Sequence, residues 1–236
     1  MADECAPSLP ESVENLLAKL GQLKDQATQQ LVSAWTADEA QLFSTDLVAL
    51  GVARRTYAVV EGFVTLLRQR NPLCCGALLR LQLDTAMRFY ACWLVDKPEE
   101  VALALLDDRH LDKIKSREGK WLADAYLHEQ LSKQYGDWVS RVYRNTSGFV
   151  HFTGRAMLDA RTDHDAAAGR ESVSLQGSGR IWTEPEMVEM VSAFVESVGI
   201  TVNLLYSWSY TKSLGAELRL ASAELKRQSE GGSCQP

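Results

Sequence analysis

The chain has 236 residues, a formal net charge of −6, a pI near 5.3 and a hydrophobic fraction of 46%. That composition excludes disorder as the default state and argues against generic binding to nucleic acid or a membrane surface, which needs a broad cationic face. A local basic pocket remains compatible with it. Five cysteines (5, 74, 75, 92 and 234) include no CxxC pair, and Cys74 and Cys75 are adjacent. A reduced, cytoplasmic protein with no structural metal and no cofactor is expected. The opening MADECAPSLPESVEN has early acids and no apolar stretch of the kind a signal peptide carries. The uncharged run from Ser197 to Thr211 falls short of the ~20 residues that span a bilayer.

Apolar residues recur at spacings of three and four, which predicts an all-α chain. Ser8-Leu9-Pro10-Glu11 reads as a capping box opening a helix to about Trp35. Thr36-Ala37-Asp38-Glu39 reads as a second box, opening a helix to about Arg70 that Asn71-Pro72 breaks. A third helix is expected from Leu73 to about Val95, with Leu79, Leu83, Phe89 and Trp93 in the core. Asp96-Lys97-Pro98-Glu99 caps a short helix through Asp107. A charged connector over 108–119, with room for one helical turn, leads to a helix from about Gly119 to Tyr135, stopped by Gly136. Asp137 starts the helix that delivers Arg144.

Between Thr153 and Thr183 the periodicity changes. "GRESVSLQGSGRIWTE" alternates around Gly177-Ser178-Gly179, so a small β-hairpin or irregular insertion is expected over about 153–183. Asp163-His164-Asp165 inside it could suggest a metal ligand set, but adjacent residues seldom converge on one ion, and a solvated polar loop is the favoured reading. Thr183-Glu184-Pro185-Glu186 is a third capping box. The helix it opens passes Leu205, and a last helix is expected to about Arg227. The expected architecture is a single helical-bundle domain, 1–228, of about six to eight helices, with a disordered tail over 229–236.

Two stretches carry candidate function. In "GALLRLQLDTAMRFYACWLV" the apolar residues cover most of the helix, as in a central helix of a bundle. Arg80, Asp84 and Arg88 nevertheless stand at i, i+4 and i+8. They form either an exposed face with two surface ion pairs or a polar pocket in which Asp84 neutralises one arginine and leaves the other for an anionic ligand. In "VYRNTSGFVHFTGR" Arg144, Asn145 and His151 fall within eight residues, in a chain with four histidines. Ser147-Gly148 between them is expected to interrupt the helix.

The spacing of Arg144 and His151, with Asn145 after the arginine, resembles the Arg-x(4–6)-His signature of the HEPN superfamily. The resemblance extends over the helical layout from roughly residue 37 to 215. It implies a helical bundle, often a homodimer, and in many members a metal-independent ribonuclease. Arg144, Asn145 and His151 are then the catalytic candidates. The run from "LLRLQLDTAMRFYACWLV" to "VYRNTSGFVH" looks most like bacterial proteins of unassigned role, some linked to phage defence or to toxin–antitoxin pairs. RNA supplies its own 2′-hydroxyl nucleophile, a histidine titrating near neutrality can move its proton, and a guanidinium matches the phosphate. One histidine does not readily fill both proton roles, so a symmetric dimer would bring two copies of His151 to one cleft.

Two other readings stand beside that one. The first is a binding module in which Arg80, Asp84 and Arg88 hold a nucleotide or other anion without cleaving it. The second is a dimeric scaffold with Trp35, Trp182 and Trp208 as interface anchors. RNA or a nucleotide and a second copy of the chain are the expected partners. The sequence contains no recognisable DNA-binding motif, and no membrane partner is expected.

Overall fold

The computed structural model describes residues 8–37, 41–151, 161–165, 170–173 and 182–231. Among them are seven α-helices: α1 (Glu11–Thr36), α2 (Ser44–Arg68), α3 (Pro72–Tyr90), α4 (Pro98–Leu106), α5 (Asp124–Tyr135), α6 (Trp138–Val150) and α7 (Glu184–Gly231). The chain is therefore an all-α bundle, as its periodicity predicts.

α1 buries Val13, Leu20, Ala27 and Ala34, a seam repeating every seven residues, and packs along α7. Ser12 Oγ donates to Glu184 Oε1 at 2.6 Å, so the two helices start at the same level and run parallel. α3 lies centrally, touching α2, α5, α6 and α7. Its Leu79, Leu83 and Phe89 are fully buried, while Trp93 is half-buried in a 3₁₀ turn (Ala91–Trp93) after the helix. Phe63 of α2 stacks on Phe194 of α7 with ring centroids 3.7 Å apart. Across the same core, the Gln82 amide donates to Thr56 and Thr201, tying α2, α3 and α7 by side-chain hydrogen bonds. Among the described residues α7 alone is long and apolar enough to cross a membrane by length and composition, and more than half of its apolar window is buried inside the bundle.

Several boundaries differ from the sequence expectation. α1 starts after Pro10 with no side-chain cap, so the box at Ser8 does not form. Thr36 ends α1 rather than opening α2, and its hydroxyl donates back to the Val32 and Ser33 carbonyls. Asp46 caps α2 instead, its carboxylate accepting from the Phe43 N–H at 2.9 Å. Asn71-Pro72 does mark the break: Arg70 takes a positive φ of 56°, the Asn71 side chain caps the Cys74 N–H, and Pro72 begins α3. α5 starts at Asp124, five residues later than expected, because Lys115 and Trp121 form a β-bridge that holds the connector extended. Gly136, at φ 104°, ends it.

The hairpin expected around Gly177-Ser178-Gly179 is not borne out. Those residues lie outside the described ones, and the two short strands that are described, Arg161–Asp165 and Arg170–Val173, pair antiparallel upstream. Asp163-His164-Asp165 belongs to the first of them. At Thr183, Glu186 Oε2 accepts from both the Thr183 N–H and its hydroxyl, which is half of the expected box. α7 continues without the expected second helix and extends into the predicted tail as far as Gly231; the remaining tail, 232–236, lies outside the described residues.

Candidate functional site on the α3–α5–α6 face

α6 packs on α3 in the opposite direction, which brings the two candidate stretches together. The contact is tight at Gly76, where an added Cβ would run into the Phe149 ring. No larger residue fits there without displacing Phe149. One turn further along α3, Arg80 meets Tyr143, the residue before Arg144. The Arg80 guanidinium lies 3.3 Å from the Tyr143 ring centroid and its Nη1 donates to the Tyr143 carbonyl at 3.3 Å. The α3 stripe and the Arg144 segment, two separate candidates in the sequence, are neighbours in the fold.

Along the stripe, all three charged side chains are half-buried. Asp84 Oδ2 accepts from Arg88 Nε at 3.0 Å, and Arg88 also reaches Asp124 of α5 at 3.5 Å. Arg88 thus takes both carboxylates. Among the described residues Arg80 has no carboxylate partner, and neither does Arg144, which is exposed on α6.

A histidine that the motif reading missed completes the cluster. His128 of α5 packs against Tyr143, with ring centroids 4.6 Å apart. Its Nδ1 lies 3.0 Å from Ser140 Oγ, which also contacts Ser132. Partial burial pushes the His128 pKa down, and the positive charges of Arg144 and Arg80 push the same way. The ring therefore stays neutral near pH 7, with Ser140 as its orienting partner. No local pattern flags His128, because it lies 16 residues before Arg144 on a separate helix; only the α5–α6 turn at Gly136 folds it back.

The three motif residues are only partly brought together. The interruption expected at Ser147-Gly148 does not occur: α6 runs through Val150, and His151 caps it, its N–H donating to the Ser147 carbonyl at 3.1 Å. Seven helical steps put Arg144 and His151 on nearly the same face, about 10 Å apart along the axis. Both are exposed. Asn145 is turned away toward α7 and lines a cavity of about 190 Å³ with Trp182 and Glu186. Trp182 and Trp208 are buried, and Trp208 Nε1 donates to Asp46 at 3.0 Å, so neither is available as an interface anchor; Trp35 is exposed. No known protein family, curated protein or solved structure matches the chain.

Proposed function

We propose that the α3–α5–α6 face binds a phosphate-bearing ligand, single-stranded RNA or a nucleotide, with Arg80 and Arg144 as the phosphate contacts. The observation that carries this reading is the unequal distribution of charge within one cluster. Among the described residues Arg88 takes Asp84 and Asp124, while Arg80 and Arg144 have no carboxylate partner; they stand beside a histidine whose pKa partial burial lowers and their charge lowers further. Tyr143 is held between Arg80 and His128 and fixes both on this face. The acidic chain as a whole limits the footprint to this local patch. Fluorescence anisotropy with a labelled single-stranded RNA oligonucleotide tests it. Arg80→Ala and Arg144→Ala should each weaken binding about fivefold or more and lower its salt dependence. Unchanged affinity in both variants would remove the proposal.

A second reading, metal-independent ribonuclease activity, is favoured by the continuous α6 helix that aligns Arg144 with His151. In that reaction the 2′-oxygen attacks phosphorus as the bond to the 5′-oxygen breaks. A histidine takes the 2′ proton, a second proton goes to the departing 5′-oxygen, and Arg144 stabilises the phosphorane. About 10 Å of helix separates the two side chains, so a second copy of the chain would close the site. Cleavage of the same oligonucleotide in EDTA, lost in His151→Ala with unchanged melting, supports this reading; intact RNA at micromolar protein leaves binding alone.

A further inference from the structure

Around the end of α1, one side of α7 stands open. Ser12 and Glu184 set the two parallel helices level at their starts, so α1, which ends at Thr36, stops beside about residue 208 of α7. α7 continues to Gly231. Along this stretch Tyr206, Tyr210, Leu214 and Leu218 are exposed to 54%, 60%, 42% and 62%. Each follows the last by four residues, so the four make one continuous ridge on the helix surface.

The ridge lacks the charged groups that an exposed helix face ordinarily carries. Between Glu196 and Glu217 the one charged residue is Lys212, and it is buried, its Nζ donating to Asp46 at 2.7 Å. The neighbouring hydroxyls are turned back onto their own helix. Ser207 donates to the Asn203 carbonyl, Thr211 to the Ser207 carbonyl and Ser213 to the Ser209 carbonyl. These groups keep their hydrogen bonds when water is removed, so covering the ridge strands no hydroxyl donor beside it. Half-exposed tyrosines and leucines of this size leave roughly 500 Å² open per copy, so a pair would bury about the 1,000 Å² at which a specific interface begins.

We propose that this ridge is a dimer interface, covered by the same ridge of a second copy in antiparallel orientation. A two-fold axis near Lys212 sets Tyr206 against Leu218 of the partner subunit and Tyr210 against Leu214 of the partner subunit. Each phenol ring then meets an aliphatic side chain. Ridges with this spacing interdigitate at a helix crossing of about −50°, and a two-fold contact needs only one self-complementary surface. A lipid surface fits less well, because interfacial helices flank their apolar face with Lys and Arg, and the lysine here is buried. The ridge starts about 30 Å along α7 from Glu186, which lines a cavity with Asn145. The dimer therefore leaves the α3–α5–α6 face of each copy open and keeps the two faces apart.

Sedimentation equilibrium of the full chain tests this. The mass should double across the micromolar range, as a small apolar interface implies. Tyr206→Lys and Leu218→Glu, both at exposed positions, should each weaken the dimer at least tenfold with helicity unchanged by circular dichroism. Joined in one chain, the two changes set lysine against glutamate across the axis and should give a tighter dimer than either change alone; no recovery overturns the antiparallel register. A chain that stays monomeric at high micromolar concentration overturns the proposal, and so does a dimer that both single variants leave intact. A monomer that sediments with phosphatidylserine vesicles assigns the ridge to a lipid surface and likewise overturns it. Arg80→Ala should leave the dimer as it is; if it dissociates the dimer, the copies meet on the α3–α6 face and the assignment to α7 fails.

Discussion

Two charge clusters in this bundle use the same residue types to opposite ends. Asp46 and Lys212 form a closed pair, both nearly inaccessible and held by hydrogen bonds to the backbone and to Trp208. Arg80, Asp84, Arg88 and Asp124 form an open cluster at half-exposed positions, with one arginine doubly paired and another carrying no carboxylate among the described residues. Desolvation separates the two. A buried charge must be matched or the fold loses stability, whereas a half-exposed cation is hydrated when free and can exchange water for a ligand. The closed pair should behave as architecture and the open cluster as a binding surface.

Breaking the closed pair should give the largest effect. Lys212→Met leaves Asp46 buried without its cation and should cost about 3–5 kcal/mol in urea unfolding. Adding Asp46→Asn should recover much of that loss, since the double variant no longer buries an unpaired charge. A loss below about 1 kcal/mol for Lys212→Met would mean that the pair is solvated in solution and that the contrast with the open cluster is false.

The apolar side of α3 gives the yardstick. Leu83 is fully buried, and Leu83→Ala should cost about 2–5 kcal/mol. One residue further on, at the half-buried edge of the same helix, Asp84→Asn should cost less than about 1 kcal/mol, because the ion pair with Arg88 is partly exposed and screened. Its effect should appear in binding instead. Releasing Arg88 from one carboxylate adds positive charge to the face and should strengthen RNA binding a few-fold, measured by anisotropy at constant salt. Unchanged affinity would mark Arg88 and Asp84 as ordinary ion-pair residues.

What the sequence made legible follows from the range of the interactions involved. The helices were readable because apolar periodicity, Asn71-Pro72 and Gly136 act locally. The failed caps show the limit of that logic. Ser8 and Thr36 have favourable neighbours, yet Thr36 satisfies its hydroxyl within α1 and Asp46 supplies the cap for α2. Arg80, Asp84 and Arg88 were legible as a stripe, but which arginine stays unpaired depends on Asp124, 36 residues further along the chain. The joining of Arg80 to Tyr143 depends on the close α3–α6 contact over Gly76, and the Asp46–Lys212 pair spans most of the chain. Neither leaves a pattern in any window of the sequence. Gly148 was misread for the opposite reason: its local tendency to end a helix is outweighed by the packing of Phe149 on α3.

The smallest expected effect sharpens the contrast through pH. His128 faces Ser140 and Tyr143 at the open cluster; its partial burial lowers its pKa, and Arg144 and Arg80 lower it further against the weaker opposing pull of Glu129 and Asp124. Its folded value lies below the unfolded one of about 6.5. Between those two values the unfolded chain binds more protons, so stability rises with pH across that window and falls as pH drops below about 6.5. Above it His128 is neutral in both states and contributes no pH dependence. Replacing the ring in His128→Gln should therefore flatten the decline in melting temperature between pH 7 and pH 5 by a degree or two. A bound phosphate reverses the local sign, because the added negative charge offsets Arg80 and Arg144 and raises the His128 pKa toward neutrality. RNA affinity should then increase as pH falls from 7 to 6, and His128→Gln should remove that increase. Affinity independent of pH in the wild type would place the phosphate away from His128, and the open cluster would lose its claim to be the site.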